Sequence, residues 1–370
     1  MAEDNRCTVP FTEPFSVSLD RRLVTACCKV NMHPFDETTG LLPPQVIELR
    51  KSILNNERSP HCSACWKRDD ETGLTHRQRH SLHFRNPEYW KNKWETLTPE
   101  DPVTSVMLAF SNKCQLMCIY CSPGVSSMWE NAPEKLLPFK HRFIKIENPP
   151  IDINDVADID NMRRIVVSGG EPMLEPQAVN FLQTLRPNPN RDLGIITNLS
   201  YGDAVFGTLC EIVEKHQRMD VMSSLDSVGD NVTRKYINWD LWSRNFKALI
   251  PSFIERVKVY PKISLGVIIT VTILNYKDVQ GVIEYILSFR KQGIKNLVFV
   301  ISPIADQTLV SIKSGRPDPY YSVQLSMEDN NLLDEKEKKQ IESYNKYLKG
   351  ITVDEELEKL TQAYLEVYLK

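Results

Sequence analysis

Ser105-Val106-Met107-Leu108-Ala109-Phe110 is a short β-type run, and it leads at once to Cys114-Gln115-Leu116-Met117-Cys118-Ile119-Tyr120-Cys121. The run opens a series. Further strand-like segments occupy 164–168, 193–197, 220–225, 263–270 and 296–302. They are rich in Val, Ile and Leu, and several are continuously apolar, as strands buried on both faces are. Helical patterns separate them. Segment 176–186 spaces Val179, Leu182 and Leu185 by three, 204–216 repeats Leu209, Ile212 and Val213, and 279–292 sets Val282, Ile283, Ile286 and Leu287 on one face. Six β-α alternations imply parallel strands joined by right-handed crossovers. Six is short of an eight-unit barrel. The expected fold is therefore α/β, a partial (β/α)6 barrel, with a doubly wound sheet as the alternative.

The flanks read differently. Residues 1–95 are broken by prolines and paired cysteines and suggest a small, metal-stapled domain; 96–310 hold the barrel pattern. Residues 311–370 form a charged helical tail whose Leu357, Leu360, Ala363, Tyr364 and Tyr368 suggest a docking face. A length of 370 residues agrees with two domains at roughly 150 residues each. Composition, 41% hydrophobic and 25% charged, excludes wholesale disorder. No window reaches the roughly 18 apolar residues of a membrane span, and the opening Met-Ala-Glu-Asp-Asn-Arg does not read as a secretory signal. A net charge of -3 argues against coating nucleic acid or an anionic membrane. These features lead to an expectation of a cytoplasmic protein with neither membrane nor nucleic acid as partner.

In a reducing compartment, clustered thiols hold metal more often than disulfides. The nine cysteines form two groups: Cys114, Cys118 and Cys121, and the early set Cys7, Cys27, Cys28, Cys62 and Cys65. Cys210 stands alone in an apolar helix pattern and reads as core. Three thiolates on one loop can hold three irons of a 4Fe–4S cluster and leave the fourth open, as a reactive centre requires. A zinc site completed by a distant His or Cys is the alternative. Ser168-Gly169-Gly170-Glu171-Pro172 ends the next strand pattern, in a chain with only 14 glycines. Adjacent glycines there would let a ligand approach the backbone, with the Glu171 carboxylate nearby; a tight β-α turn is the plainer account.

The C-x3-C-x2-C triplet with Tyr120 before its last cysteine, followed by Gly-Gly-Glu-Pro, resembles the radical S-adenosylmethionine superfamily over roughly residues 104–303. The resemblance implies a cluster on Cys114, Cys118 and Cys121 whose open iron chelates the amino and carboxylate groups of S-adenosylmethionine. Gly169, Gly170, Glu171 and Pro172 would meet the amino group, and Tyr120 lies within the cluster motif. It also implies a flavodoxin- or ferredoxin-type electron donor and cleavage of S-adenosylmethionine to methionine and a 5′-deoxyadenosyl radical that abstracts a substrate hydrogen. Asn198 closes the third strand and Ser223 the fourth; by resemblance Ser223 touches the ribose and Arg234 the methionine carboxylate. A guanidinium fork suits a carboxylate; a surface helix cation is the other reading of Arg234. Strand five, Gly266-Val267-Ile268, would offer its backbone to the adenine.

The early cysteines resemble the auxiliary-cluster domains called SPASM and twitch. Cys7 precedes a hairpin pattern over 17–28 around Asp20-Arg21, and His61-Cys62-Ser-Ala-Cys65-Trp66 follows. The resemblance implies a second 4Fe–4S cluster on Cys7, Cys27, Cys62 and Cys65, with Cys28 as rival to Cys27; a zinc knuckle with the same ligands is the alternative. Two departures stand out: the family usually has glycine where Arg22 stands, and its auxiliary domain follows the barrel. The basic run His76-Arg77-Gln-Arg79-His80-Ser-Leu-His83-Phe-Arg85 could line a substrate channel or simply face solvent. Auxiliary-cluster relatives often modify peptides or proteins, so a peptide is the first substrate expected. A small molecule or nucleotide is second, and a non-catalytic iron–sulfur or zinc scaffold is the rival of another class.

Overall fold

The computed structural model describes residues 5–27, 30–72, 86–132, 134, 136, 151–216, 218–229, 231–304, 310–311, 321–351, 353 and 355–369. Cys28 and the basic run 76–85 lie outside the described residues. The protein is a mixed α/β structure with a large, mostly parallel sheet. In chain order its strands are β1 (Phe15–Ser18), β2 (Leu23–Thr25), β3 (His33–Pro34), β4 (Ser105–Ala109), β5 (Met117–Cys118), β6 (Arg164–Ser168), β7 (Asp192–Thr197), β8 (Met219–Ser224), β9 (Arg234–Lys235), β10 (Leu265–Val271) and β11 (Leu297–Pro303). All six strands expected from the pattern are present within about two residues of their expected bounds (β4, β6, β7, β8, β10 and β11). Among the described residues no helix is long and apolar enough to cross a membrane.

Two compact units divide the chain, where the sequence reading places boundaries after residues 95 and 310. The first comprises Met1–Ser111, Lys145–Ser168 and Asn188–Leu193; the second comprises Asn112–Ile144, Gly169–Pro187 and Gly194–Lys370.

In the first unit the strand order is β6-β4-β1-β2-β3. The hairpin expected around Asp20-Arg21 is there, with Ser18 opposite Leu23 and Ser16 opposite Thr25. Arg22, at the family's glycine position, has φ 51. That left-handed conformation costs a non-glycine residue about 1–2 kcal/mol. What the sequence did not suggest is the parallel pairing of β1 with β4, Phe15 opposite Val106 through Ser18 opposite Ala109. Here β1 satisfies the backbone groups that β4 would otherwise present as an edge. The helix Pro44–Leu54 brings Arg50 inside, 1% exposed. Its Nε donates to Pro10 O at 2.9 Å and Nη1 to Pro99 O at 3.1 Å. The guanidinium lies over the rings of Phe11 and Phe15, a cation serving as an internal staple.

In the second unit the order is β11-β10-β8-β7. β8, β10 and β11 run parallel, in register through Val221, Leu265 and Leu297. Alternation along each strand buries Val221, Ser223, Val267, Ile269 and Phe299 on one face and leaves Met222, Ser224, Ile268, Thr270, Val298 and Val300 half-buried on the other. The buried face carries the helix Trp239–Val259, which the sequence reading missed because Pro251 interrupts it. Its Trp242, Phe246, Leu249, Ile250 and Phe253 are buried, each contributing roughly 1.5–3 kcal/mol. The tail is helical as expected, over Glu335–Lys349 and Glu355–Tyr368. Glu337 of the first tail helix meets Arg290 in a buried two-pronged ion pair at 2.8 and 2.6 Å. The docked face of the second helix is Thr361, Tyr364 and Tyr368; Leu360 and Ala363, expected to dock, face outward.

Candidate functional site

The cysteine triplet, the Gly169–Pro172 segment and the ends of β7 and β8 all belong to the second unit. The cysteine loop is held as a short antiparallel ribbon. β5 pairs with β9, placing Cys118 opposite Arg234 and Met117 opposite Lys235, and Ile119 N donates to Thr233 O at 2.8 Å. A turn, Cys121 N to Cys118 O at 2.9 Å, then returns the chain and brings Cys121 back beside Cys118.

Burial pushes the Cys114 thiol up to about 12. Cys118 goes the other way: a hydrogen bond from the Cys121 thiol holds it down, helped by the Arg234 guanidinium, whose Nη1 lies 3.7 Å from Cys118 Sγ. The same hydrogen bond raises Cys121. Leu116 N donates to Cys114 Sγ at 3.4 Å. Among the described residues no three His, Cys, Asp or Glu side chains are gathered around a single metal ion. A 4Fe–4S cluster takes one thiolate on each of three irons, a wider spacing than one ion demands. Three thiols on one loop, with a backbone N–H and a guanidinium directed at sulfur, fit that donor requirement.

The glycine pair makes room for the cysteine loop. Gly169 has φ 119, a conformation that side chains avoid. A Cβ on Gly170 would stand 2.2 Å from Lys113 O and 2.6 Å from Asn112 O. Gly170 is glycine so that the cysteine loop's own backbone can cross it, and Glu171 N donates to Lys113 O at 2.7 Å. Nor is the Glu171 carboxylate free for a ligand. It is 1% exposed and accepts from Thr197 Oγ1 at 2.8 Å, Asn198 N at 2.6 Å and Met173 N at 3.1 Å. Burial pushes it up to about 7. Pro172 opens the 3-10 turn Pro172–Leu174. The segment thus locks the loop to the end of β7. Asn198 completes the lock: its side-chain amide exchanges hydrogen bonds with that of Gln115, at 3.0 and 3.1 Å.

Two other candidate residues have internal partners. Ser223 is wholly buried on the helix-facing side of β8, where its Oγ accepts from Trp242 Nε1 at 2.6 Å. With a period of two, the residue turned to the other face is Ser224. Arg234 is not a surface helix cation: it sits in β9, 5% exposed. Its Nη2 donates to Asp226 Oδ1 at 3.1 Å, and its Nε lies 3.0 Å from Oδ2. The carboxylate on its fork is internal. Asp226, which the sequence reading did not single out, is the hub: Tyr120 OH (2.8 Å), Thr233 Oγ1 (2.6 Å) and Thr270 N (3.1 Å) also donate to it. A carboxylate just after a strand pattern, eight residues before an arginine, was the available signal.

The early cysteines lie in the first unit. Cys7 precedes the short helix Val9–Thr12, Cys27 follows β2, Cys62 ends the turn Pro60–Cys62, and Cys65 lies in the first turn of the helix Ser63–Thr72. Cys7 and Cys65 are buried, Cys27 and Cys62 partly so.

No family model matches the chain. The chain is 25% identical to GTP 3',8-cyclase of Nautilia profundicola over 171 residues, 46% of this chain and 48% of that protein. Its identity to GTP 3',8-cyclase of Desulforamulus reducens is 24% over 152 residues, 40% of this chain and 43% of that one. It thus spans about half the length of the curated relatives it matches. Among solved structures, a hexahistidine-tagged anSMEcpe with bound AdoMet is 19% identical, with a TM-score of 0.33, over 56% of this chain and 53% of that one. The likeness to the two cyclases supports the radical S-adenosylmethionine resemblance and, with it, an enzyme.

Proposed function

We propose that the protein is a radical S-adenosylmethionine enzyme whose Cys114, Cys118 and Cys121 hold the 4Fe–4S cluster and whose substrate is a small molecule, nucleotides first. The observation that carries the reading is the locked cysteine loop, with Cys118 drawn toward thiolate beside Arg234. When bound, the cluster supplies one electron that cleaves S-adenosylmethionine to methionine and a 5′-deoxyadenosyl radical, which takes a hydrogen atom from the substrate. The chain's part is positioning. Arg234, held by Asp226, offsets the negative charge gathered by three thiolates. The Gly169–Pro172 backbone would present its polar groups to the amino end of S-adenosylmethionine, the Glu171 side chain being occupied. Tyr120 keeps its hydroxyl on Asp226 and its ring under the guanidinium.

The substrate class follows the two cyclases, which by name act on GTP; a peptide, expected first from the early cysteines, has no support among them. A flavodoxin- or ferredoxin-type donor would supply the electron. Cys7, Cys27, Cys62 and Cys65 are assigned a second 4Fe–4S cluster, coordinatively closed by four thiolates and so unable to chelate S-adenosylmethionine.

The test is direct. Reduced, reconstituted protein should release 5′-deoxyadenosine from S-adenosylmethionine, faster with its substrate than without, and GTP is the first nucleotide to add. The variant lacking all three loop thiols should release none. Cleavage at the wild-type rate by a folded variant without the three thiols defeats the assignment.

A further inference from the structure

Three aromatic side chains donate hydrogen bonds to three successive carbonyls of the cysteine loop. Tyr368 OH donates to Met117 O at 2.6 Å, Trp129 Nε1 to Cys118 O at 3.0 Å and Tyr364 OH to Ile119 O at 3.1 Å. Their rings form one stack: Trp129 is 5.9 Å from Tyr368 at 17° and 6.5 Å from Tyr364 at 25°. All three are essentially inaccessible, and Met117 and Ile119 pack into the same cluster. Lys235, opposite Met117 in the ribbon, donates Nζ to Tyr368 O at 3.1 Å, so the helix end is tied to the far strand as well.

The chemistry selects donors here. Ile119 N, in the same stretch, serves the ribbon by donating to Thr233 O. The carbonyls lie in a place closed to water, where an unpaired carbonyl is costly; Cys118 O also accepts from Cys121 N at 2.9 Å. Phenylalanine would fill the space equally well. A hydroxyl at 364 and at 368, four residues apart on one helix face, reaches carbonyls two residues apart on the loop.

We propose that Tyr364 and Tyr368 are positioning residues for the cluster loop: their hydroxyls, through the Met117 and Ile119 carbonyls, fix the peptide that carries Cys118. The helix Glu355–Tyr368 is thus part of the reactive centre's support and not an appended tail. The inference rests on the proposed function only for its link to the cluster; the mechanical part concerns the chain alone.

The experiment separates the two. Tyr364→Phe, Tyr368→Phe and the pair keep the rings and remove only the hydroxyls. In cluster-free protein, backbone hydrogen exchange across residues 116–120 should accelerate about tenfold for each lost hydroxyl, with exchange in β8 and β10 unchanged. In reconstituted protein, iron should be lost to a chelator about tenfold faster, and the reduced-cluster electron paramagnetic resonance spectrum should broaden. If ring packing alone holds the loop, the Phe variants exchange like wild type, and the inference is overturned. Should the double variant unfold, each single variant decides by the same exchange measurement. If wild-type protein takes up no iron, the proposed function fails while the exchange result still decides the mechanical claim.

Discussion

The two groups of cysteines sit in very different surroundings. Cys114, Cys118 and Cys121 fall within eight residues of one loop, and almost every group around them is committed. Gly170 gives that loop's backbone room, Gln115 and Asn198 exchange amide hydrogen bonds, Asp226 fixes Arg234, and three aromatic donors close the carbonyls. Cys7, Cys27 and the pair Cys62 and Cys65 come from three separate stretches of the first unit, and Cys27 and Cys62 are partly exposed. A preorganised loop has already met the ordering cost of its ligands before a cluster arrives. A site assembled from distant segments meets that cost on binding, so the two should respond differently to removal of a ligand.

The largest effect should come from that contrast. Cys118→Ala should abolish 5′-deoxyadenosine release, whereas the pair Cys62→Ala and Cys65→Ala should leave substrate-free cleavage in place and lower iron from about eight to about four per chain. Iron and zinc analysis alongside product assay checks both; four irons and one zinc in wild type would make the early site a zinc knuckle. Next in size, Asp226→Asn strips the buried Arg234 of its charge partner and should cost about 3–5 kcal/mol in urea unfolding. Adding Arg234→Met should recover a large part of that loss. A double variant no more stable than the single one would show that the pair is not the source.

Gly170→Ala is the smaller mechanical test of the loop. The new methyl group meets backbone and not a flexible side chain, so destabilisation of about 1–3 kcal/mol is expected, read as a lower melting temperature together with lower iron uptake. Smallest over any one pH unit is a pH effect at Glu171. Its carboxyl is raised from 4.5 to about 7 by burial, so the folded state keeps a proton that the unfolded chain releases. The associated stability is fully present below pH 4.5 and is lost as pH rises through about 7, at no more than about 1.4 kcal/mol per pH unit. Glu171→Gln should flatten that slope. An identical pH profile in the variant assigns the titration to another group.

Strands and helices were legible where periodicity is strong. Several of the six expected strands are short apolar runs, and the helix Val279–Lys291 shows its buried face as Val282, Ile283, Ile286 and Leu287. Trp239–Val259 was not legible, because Pro251 is a local stop signal that packing of Trp242 and Phe246 overrides. The β1–β4 pairing was hidden too, since nothing local announces a parallel partner about 90 residues away. In the site, the thiols and glycines were found by spacing, but the direction of a side chain is a matter of register. Ser223 and Ser224 are alike in sequence and opposite in space.

The hydroxyl contacts of Tyr364 and Tyr368 bridge 245 and 251 positions of sequence. On a ribosome, the thiols therefore emerge long before the side chains that hold their loop. Until the helix Glu355–Tyr368 has been synthesised and has folded back, Met117 O and Ile119 O remain open to water, and the loop is held only by nearer contacts. Cluster delivery to a nascent chain would meet a loose trio of thiols. Delivery after that helix has docked meets a loop already fixed from both sides. On the proposed function, assembly of the metal centre would thereby be tied to completion of the fold, and a chain arrested before residue 355 would carry the full cysteine motif while lacking its support.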